Sequence, residues 1–166
     1  MVIIGAGECG TRAALKLREN GHDGPVTLVG QETGDPYERP PLSKPAPDAP
    51  PRRVPVATAE RLADLGIDFR PGLTADRIDR TARKVHFTDG TDLAFDKLLL
   101  ATGARPRRLT GLDDSSATTF RYHDDARRLF AGQARKVTLI GAGLIGLELA
   151  AALRLRGHSV TVLEAS

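Results

Sequence analysis

Cysteine is almost missing from this sequence: Cys9 is the single one in 166 residues. No disulfide can close within the chain, no intrachain redox pair can form, and nothing points to an oxidising compartment. Aromatic residues make up only 4%, too few for a base-stacking platform. Basic residues exceed acidic ones by a net charge of only +3 and are spread along the chain, so a nucleic-acid footprint is not expected. No apolar run reaches the roughly 18 residues that span a membrane. Met1 leads directly into Val2-Ile3-Ile4 and Gly5, without the basic and apolar regions of a signal peptide. The four histidines, His22, His86, His123 and His158, stand at no metal-ligand spacing with cysteine or carboxylates, so no metal site is expected. A soluble cytoplasmic protein is the expectation. Hydrophobic content of 40% and charged content of 27% are ordinary for a globular domain.

What the sequence does contain is an internal repeat. Residues 2–10 read VIIGAGECG and residues 138–146 read TLIGAGLIG. The likeness continues into Gly21-His22 and Gly157-His158, then into Val26-Thr27-Leu28-Val29 and Val160-Thr161-Val162-Leu163. Each copy reads as strand, glycine turn, helix, turn, strand, the opening half of a doubly wound unit. Ala13, Ala14, Leu15 and Leu17 give the first helix an apolar face. Leu147, Leu149, Ala150, Ala151, Leu153 and Leu155 do so for the second.

Between the copies, residues 36–55 hold eight of the eleven prolines and exclude regular helix or central strand. A helical piece is expected near 58–65, then short strands at 67–70, 84–88 and from 93 into 96–101. A small antiparallel excursion is expected at about 67–97, with Asp89-Gly90 as a hairpin turn. Residues 104–120 suit a crossing, and 124–131 look helical. The second copy reaches Ser166 directly after its second strand. A nucleotide-binding half needs a further helix and strand to bury that sheet, so a fragment is the expectation.

The glycines carry the chemistry. In Gly5-Ala6-Gly7-Glu8-Cys9-Gly10 the first glycine permits the tight turn, the second admits a pyrophosphate to the backbone, and the third lets helix and strand pack closely. The helix start adds amide donors and a positive dipole end. A lone glycine motif is weak evidence; here strand, helix and second strand follow in order, which is the confirming context. The second motif, Gly141-Ala142-Gly143-Leu144-Ile145-Gly146, leads to Glu164 at the end of the next strand. A carboxylate there accepts from ribose hydroxyls and repels a 2′-phosphate, which favours NAD over NADP. The plain alternative is a solvated strand end. Two dinucleotide folds in one chain suit a flavin and a nicotinamide brought face to face.

Three stretches together carry a family resemblance: Pro36-Tyr37-Glu38-Arg39-Pro40-Pro41-Leu42-Ser43-Lys44, then Leu98-Leu99-Leu100-Ala101-Thr102-Gly103-Ala104-Arg105-Pro106, then the second glycine motif with Leu147-Glu148-Leu149-Ala150. With them the chain resembles the ferredoxin-reductase-like branch of the FAD-dependent pyridine nucleotide oxidoreductases. The resemblance implies an α/β fold. It has a Rossmann-like FAD/NAD(P)-binding domain at 1–109 carrying the small antiparallel β excursion. The crossing and the start of a second, inserted Rossmann-like NADH-binding domain follow at 110–166. It implies FAD and NADH as cofactors and a ferredoxin or rubredoxin as electron acceptor, serving an oxygenase or P450 system.

It also implies site residues. Gly5, Ala6, Gly7, Glu8, Cys9 and Gly10 would line the FAD pyrophosphate turn. Arg39, Lys44 and Arg121 would contact FAD, with Ala75 on its adenine side. Ala101, Thr102 and Gly103 would pass the cofactor by backbone. Gly141, Gly143, Leu144, Ile145, Gly146 and Glu164 would hold NADH. Glu148 would sit near the nicotinamide and could pair with Lys44; these two are the candidate catalytic residues. Without the motif, Arg39, Lys44 and Arg121 read as solvated loop charges.

Departures are visible. The family places an acid after the second strand for the FAD ribose; here Gln31 stands there and Glu32 follows, and either can serve. Tyr122-His123 beside Arg121 are less typical. Cys9 reads as a small residue packed beneath the pyrophosphate. Arg105, Arg107 and Arg108 read first as a solvated crossing, with docking of an acidic iron–sulfur protein as the sharper alternative. Two other functions remain open: an NADH oxidase or nitrite-reductase flavoprotein component, and a non-catalytic dinucleotide-binding fragment.

Overall fold

The structure, a computed structural model, describes residues 1–112 and 117–165. The crossing expected at 104–120 therefore includes residues 113–116, which lie outside the described residues, as does Ser166. The chain separates into two units, Met1–Glu38 with Pro55–Ala104 and Arg39–Val54 with Arg105–Ser166.

The first unit runs β1 (Val2–Ile4), α1 (Glu8–Glu19), β2 (Val26–Gly30) and β3 (Tyr37–Glu38). It resumes from β4 (Val54–Pro55) into α2 (Ala59–Asp64), β5 (Ile67–Pro71), β6 (Ala75–Asp79), β7 (Lys84–Phe87), β8 (Asp92–Ala94) and β9 (Leu98–Leu100). Four strands form a parallel sheet in the order β5-β2-β1-β9. Three more form an antiparallel sheet, β6-β7-β8. The alternation of strand side chains sorts the core into two layers. Ile3, Val26 and Leu28 pack with Ala14 of α1 and Leu62 of α2. Val2, Ile4 and Val29 pack with Val85 and Phe87 of β7. A parallel sheet covered on both faces explains the near-continuous apolar runs that the sequence shows there.

Two expectations need correction. The stretch expected as one strand from 93 into 96–101 is two: β8 lies in the antiparallel sheet and β9 pairs parallel with β1. The segment opening at Ile67 is not part of the antiparallel excursion: β5 pairs parallel with β2 from Val26↔Ile67 to Gly30↔Pro71. The excursion instead opens with β6, whose sequence ADRID lacks apolar alternation because three of its five residues are exposed. Its register shifts between Ala75 and Arg77.

The second unit contains a 3-10 turn (Pro40–Ser43), α3 (His123–Phe130), β10 (Lys136–Ile140), α4 (Leu144–Leu155) and β11 (Ser159–Leu163). Its two strands pair in parallel from Lys136↔Ser159 to Ile140↔Leu163. The proline-rich stretch 39–54 groups with this unit, and Arg156 ties it down. The guanidinium donates through Nη2 to the carbonyls of Ala46 and Ala49 and lies 4.9 Å from the centre of the Phe130 ring. No helix among the described residues is long and apolar enough to cross a membrane.

Candidate functional site: two glycine turns and a lysine–glutamate pair

The sequence repeat is a repeat of backbone geometry. Gly5 N–H donates to the Val29 carbonyl at 2.8 Å, and Gly141 N–H to that of Leu163 at the same 2.8 Å. The first glycines have φ of 109° and 105°, a region closed to side chains. Gly7 and Gly143 precede α1 and α4 with φ of −75° and −66°. Both helices have twelve residues, and no side chain caps either start. Amide donors of the first turn are therefore left for an anion at each place.

The space around the glycines differs by position. A Cβ on Gly10 would stand 1.9 Å from the Gly5 carbonyl oxygen, and one on Gly146 2.0 Å from that of Gly141. These third glycines are demanded by the close approach of helix and turn. A Cβ on Gly5 would lie 2.2 Å from the Ala101 carbonyl oxygen, whereas one on Gly141 would meet nothing within 4 Å. The cause is β9: it pairs with β1 and brings Ala101 N–H to the Ile4 carbonyl at 2.8 Å, while β10 pairs only with β11 among the described residues. Gly7 and Gly143 face open space, as a turn must if a pyrophosphate is to reach its backbone. Both turns thus fit a dinucleotide.

The strand ends differ as well. Register aligns Gly30, after Val29, with Glu164, after Leu163. A Cβ on Gly30 would sit 2.7 Å from the Ala6 methyl, so the first copy cannot carry a side chain there without moving Ala6. Any ribose-directed group must come later. Gln31 is exposed, and Glu32 accepts from the Tyr37 hydroxyl at 2.5 Å. In the second copy the Glu164 carboxylate accepts from Ala142 N–H at 2.6 Å.

Placement of the other predicted residues follows the two units. Glu8, Cys9, Ala75, Ala101, Thr102 and Gly103 belong to the first unit with Gly5, Ala6, Gly7 and Gly10. Glu8 is joined to Arg12 at 2.9 Å, and Cys9 is a free, exposed thiol in the first turn of α1. Ala75 opens β6. Arg39, Lys44, Arg121, Leu144, Ile145 and Glu148 belong to the second unit. Leu144 and Ile145 are 76% and 54% exposed.

The second unit gathers two clusters. In the first, Arg39 Nη1 donates to the Arg121 carbonyl at 3.1 Å, and its guanidinium lies 5.0 Å from the centre of the Tyr122 ring. Asp125 holds this corner, accepting from the backbone N–H of Arg121 and Tyr122 at 2.9 and 2.7 Å. Tyr122, an oddity in the sequence, is thus the stacking platform for Arg39. In the second cluster, Lys44 Nζ lies 2.9 Å from Glu148 Oε2, and the Ser43 hydroxyl donates to the same oxygen at 2.5 Å. Lys44 also donates to the Pro40 carbonyl at 3.2 Å. The Ser43 bond, then Lys44, hold the Glu148 carboxyl below its ordinary range. Ser43 is not singled out by sequence because its partner lies 105 residues away, and Asp125 because its role is local, holding the backbone N–H groups of Arg121 and Tyr122. Among the described residues no group of three or more His, Cys, Asp or Glu could hold a metal.

A chain with two glycine turns of one geometry, each between parallel strands, is an α/β protein of the two-dinucleotide type. It belongs to the pyridine nucleotide-disulphide oxidoreductase family, whose model matches residues 1–166. Similar proteins include the rhodocoxin reductase of Rhodococcus erythropolis, 43% identical over 99% of this chain and 40% of that protein. Another is the ferredoxin–NAD(+) reductase component of the p-cumate 2,3-dioxygenase system of Pseudomonas putida, 40% identical over 100% of this chain and 42% of that protein. Among solved structures, the covalent putidaredoxin reductase–putidaredoxin complex superimposes with a TM-score of 0.83 at 33% identity, over 97% of this chain and 41% of that one. The chain thus spans roughly two fifths of the length of these relatives.

Proposed function

We propose that the chain is the FAD- and NADH-binding part of an electron-transfer reductase that passes electrons from NADH through FAD to a small iron–sulfur protein, a ferredoxin or rubredoxin. The observation that carries this reading is the pair of glycine turns, with matched backbone geometry and open second glycines. The relatives, named as reductases of rhodocoxin and of ferredoxin, support the same class of acceptor. In this reading residues 1–109 belong to the FAD domain and 110–166 open the NADH domain, in the cytoplasm.

Gly5, Ala6, Gly7, Glu8, Cys9 and Gly10 would hold the FAD pyrophosphate, with Ala101, Thr102, Gly103 and Ala75 as backbone contacts. Gln31 or Glu32 would hold the FAD ribose, and Arg39 and Arg121 further parts of FAD. Gly141, Gly143, Leu144, Ile145 and Gly146 would hold NADH, with Glu164 at its ribose. When bound, FAD supplies the conversion between two-electron hydride chemistry and one-electron transfer. The residues of the chain position and polarise. Lys44, fixed by Glu148, keeps a cation where negative charge develops on a flavin. Glu164 accepts from a ribose and disfavours a 2′-phosphate. No side-chain acid or base is required.

The test is NADH-dependent reduction of a ferredoxin and a rubredoxin by the FAD-loaded full-length protein, followed by absorbance. Reduction of either, with NADH preferred to NADPH, is expected. NADH consumption that proceeds only with oxygen as acceptor would overturn the reading in favour of an oxidase.

A further inference from the structure

The lysine–glutamate pair has a third member. We propose that Ser43 is a positioning residue for Glu148: its hydroxyl fixes Oε2 of that carboxylate as the anchor for the Lys44 ammonium. This deepens the proposed function and rests on it for the role of Lys44 beside a flavin.

The geometry is specific. Ser43 Oγ has one proton and two acceptors in reach, Glu148 Oε2 at 2.5 Å and the Pro40 carbonyl at 3.1 Å. The short distance to an ionised oxygen takes the proton, since charge-assisted O–H···O bonds are the shorter and stronger ones. The Pro40 carbonyl is served by Lys44 Nζ at 3.2 Å. Hydroxyl and ammonium thus converge on one carboxylate oxygen, while Oε1 has no hydrogen-bond partner among the described residues. Ser43 is 3% exposed and sits in the 3-10 turn that packs against α4, where Leu42 is fully buried. The donor is therefore rigid, whereas the Lys44 side chain is 54% exposed. A flexible surface lysine alone holds a carboxylate weakly; the buried hydroxyl supplies the fixed point.

Among the described residues no charged group other than Lys44 bonds this carboxylate. On α4, Arg154 donates to the His158 carbonyl and Arg156 to those of Ala46 and Ala49. On α3, Asp125 is taken by the Arg121 and Tyr122 amides and by Arg128. Lys136 opens β10 at the end away from the glycine turn, and beyond β11 the Glu164 carboxylate accepts from Ala142 N–H.

The experiment is a ¹³C NMR titration of the Glu148 side chain in the full-length protein with FAD bound, for wild type, Ser43→Ala and Ser43→Thr. Flavin reduction by NADH is followed in parallel against pH. The Glu148 midpoint should rise in S43A and return toward wild type in S43T, which keeps the hydroxyl. The pH profile of flavin reduction should move in the same order. An S43A midpoint equal to wild type overturns the proposal. If S43A does not fold, Ser43→Cys, a weaker donor, gives the same decision. A wild-type flavin that NADH fails to reduce refutes the proposed function separately, while the carboxyl titration still decides the role of Ser43.

Discussion

Gly10 packs so closely on the Gly5 turn that the Cβ it lacks would stand 1.9 Å from the Gly5 carbonyl oxygen. The neighbour is main chain in a tight turn, so it cannot swing aside. Gly10→Ala should cost about 1–3 kcal/mol of stability by overpacking, seen as a lowered denaturation midpoint. Gly146→Ala should act in the same way in the second unit, because its Cβ would stand 2.0 Å from the Gly141 carbonyl oxygen.

Gly7 is the contrasting case. Its φ of −75° suits any residue, and a Cβ there meets nothing within 4 Å. Gly7→Ala should leave stability within about 0.5 kcal/mol, as for other open surface positions, and still weaken flavin retention, since the methyl fills the approach of the pyrophosphate. Thermal melts and flavin-binding titrations on the same variant check both halves. Unchanged flavin affinity would place the cofactor elsewhere.

Arg18 clamps the ends of α1 and α2. Its guanidinium donates to the carbonyls of Leu65, His22, Gly24 and Gly66 at 2.6 to 2.8 Å. Arg18→Ala should destabilise by about 2 kcal/mol through the carbonyls left without a donor. Arg18→Lys should recover little of this, because an ammonium cannot span the fork. Urea denaturation of the two variants decides.

The Glu148 carboxyl titrates below its ordinary value of 4.5, first because of Ser43 and then Lys44. A depressed folded value means that its contribution to stability is complete above the unfolded carboxyl's range. That contribution drains away as pH falls through the folded value. Glu148→Gln should therefore be less stable than wild type near neutrality, with the difference shrinking as the solution is acidified below about 4.5. Denaturant midpoints across a pH series measure it; a difference independent of pH would contradict the assignment.

Much of this fold is written in local pattern. The glycine turns, both helices and the strands around them are legible because dinucleotide turns impose glycine at fixed offsets and their strands are apolar throughout. The hairpin at Asp89-Gly90 is legible for the same local reason. Topology is less so: Ile67–Pro71 resembles any short strand, and only its pairing with β2 makes it the edge of the parallel sheet. β6 escapes because a strand exposed at three of five positions shows no alternation. At the candidate site, Lys44 and Glu148 are legible through the motif. The hydroxyl of Ser43 is not, since its partner lies 105 residues away. Tyr122 is atypical as sequence, and its role shows only in three dimensions, where Arg39 stacks on its ring.

The most direct test of the central claim is the visible spectrum of the purified protein, loaded with FAD and titrated anaerobically with NADH. The expected result is a bound flavin whose absorbance bleaches on NADH addition, with NADPH far less effective because of Glu164. Failure to retain flavin under saturating FAD would contradict it.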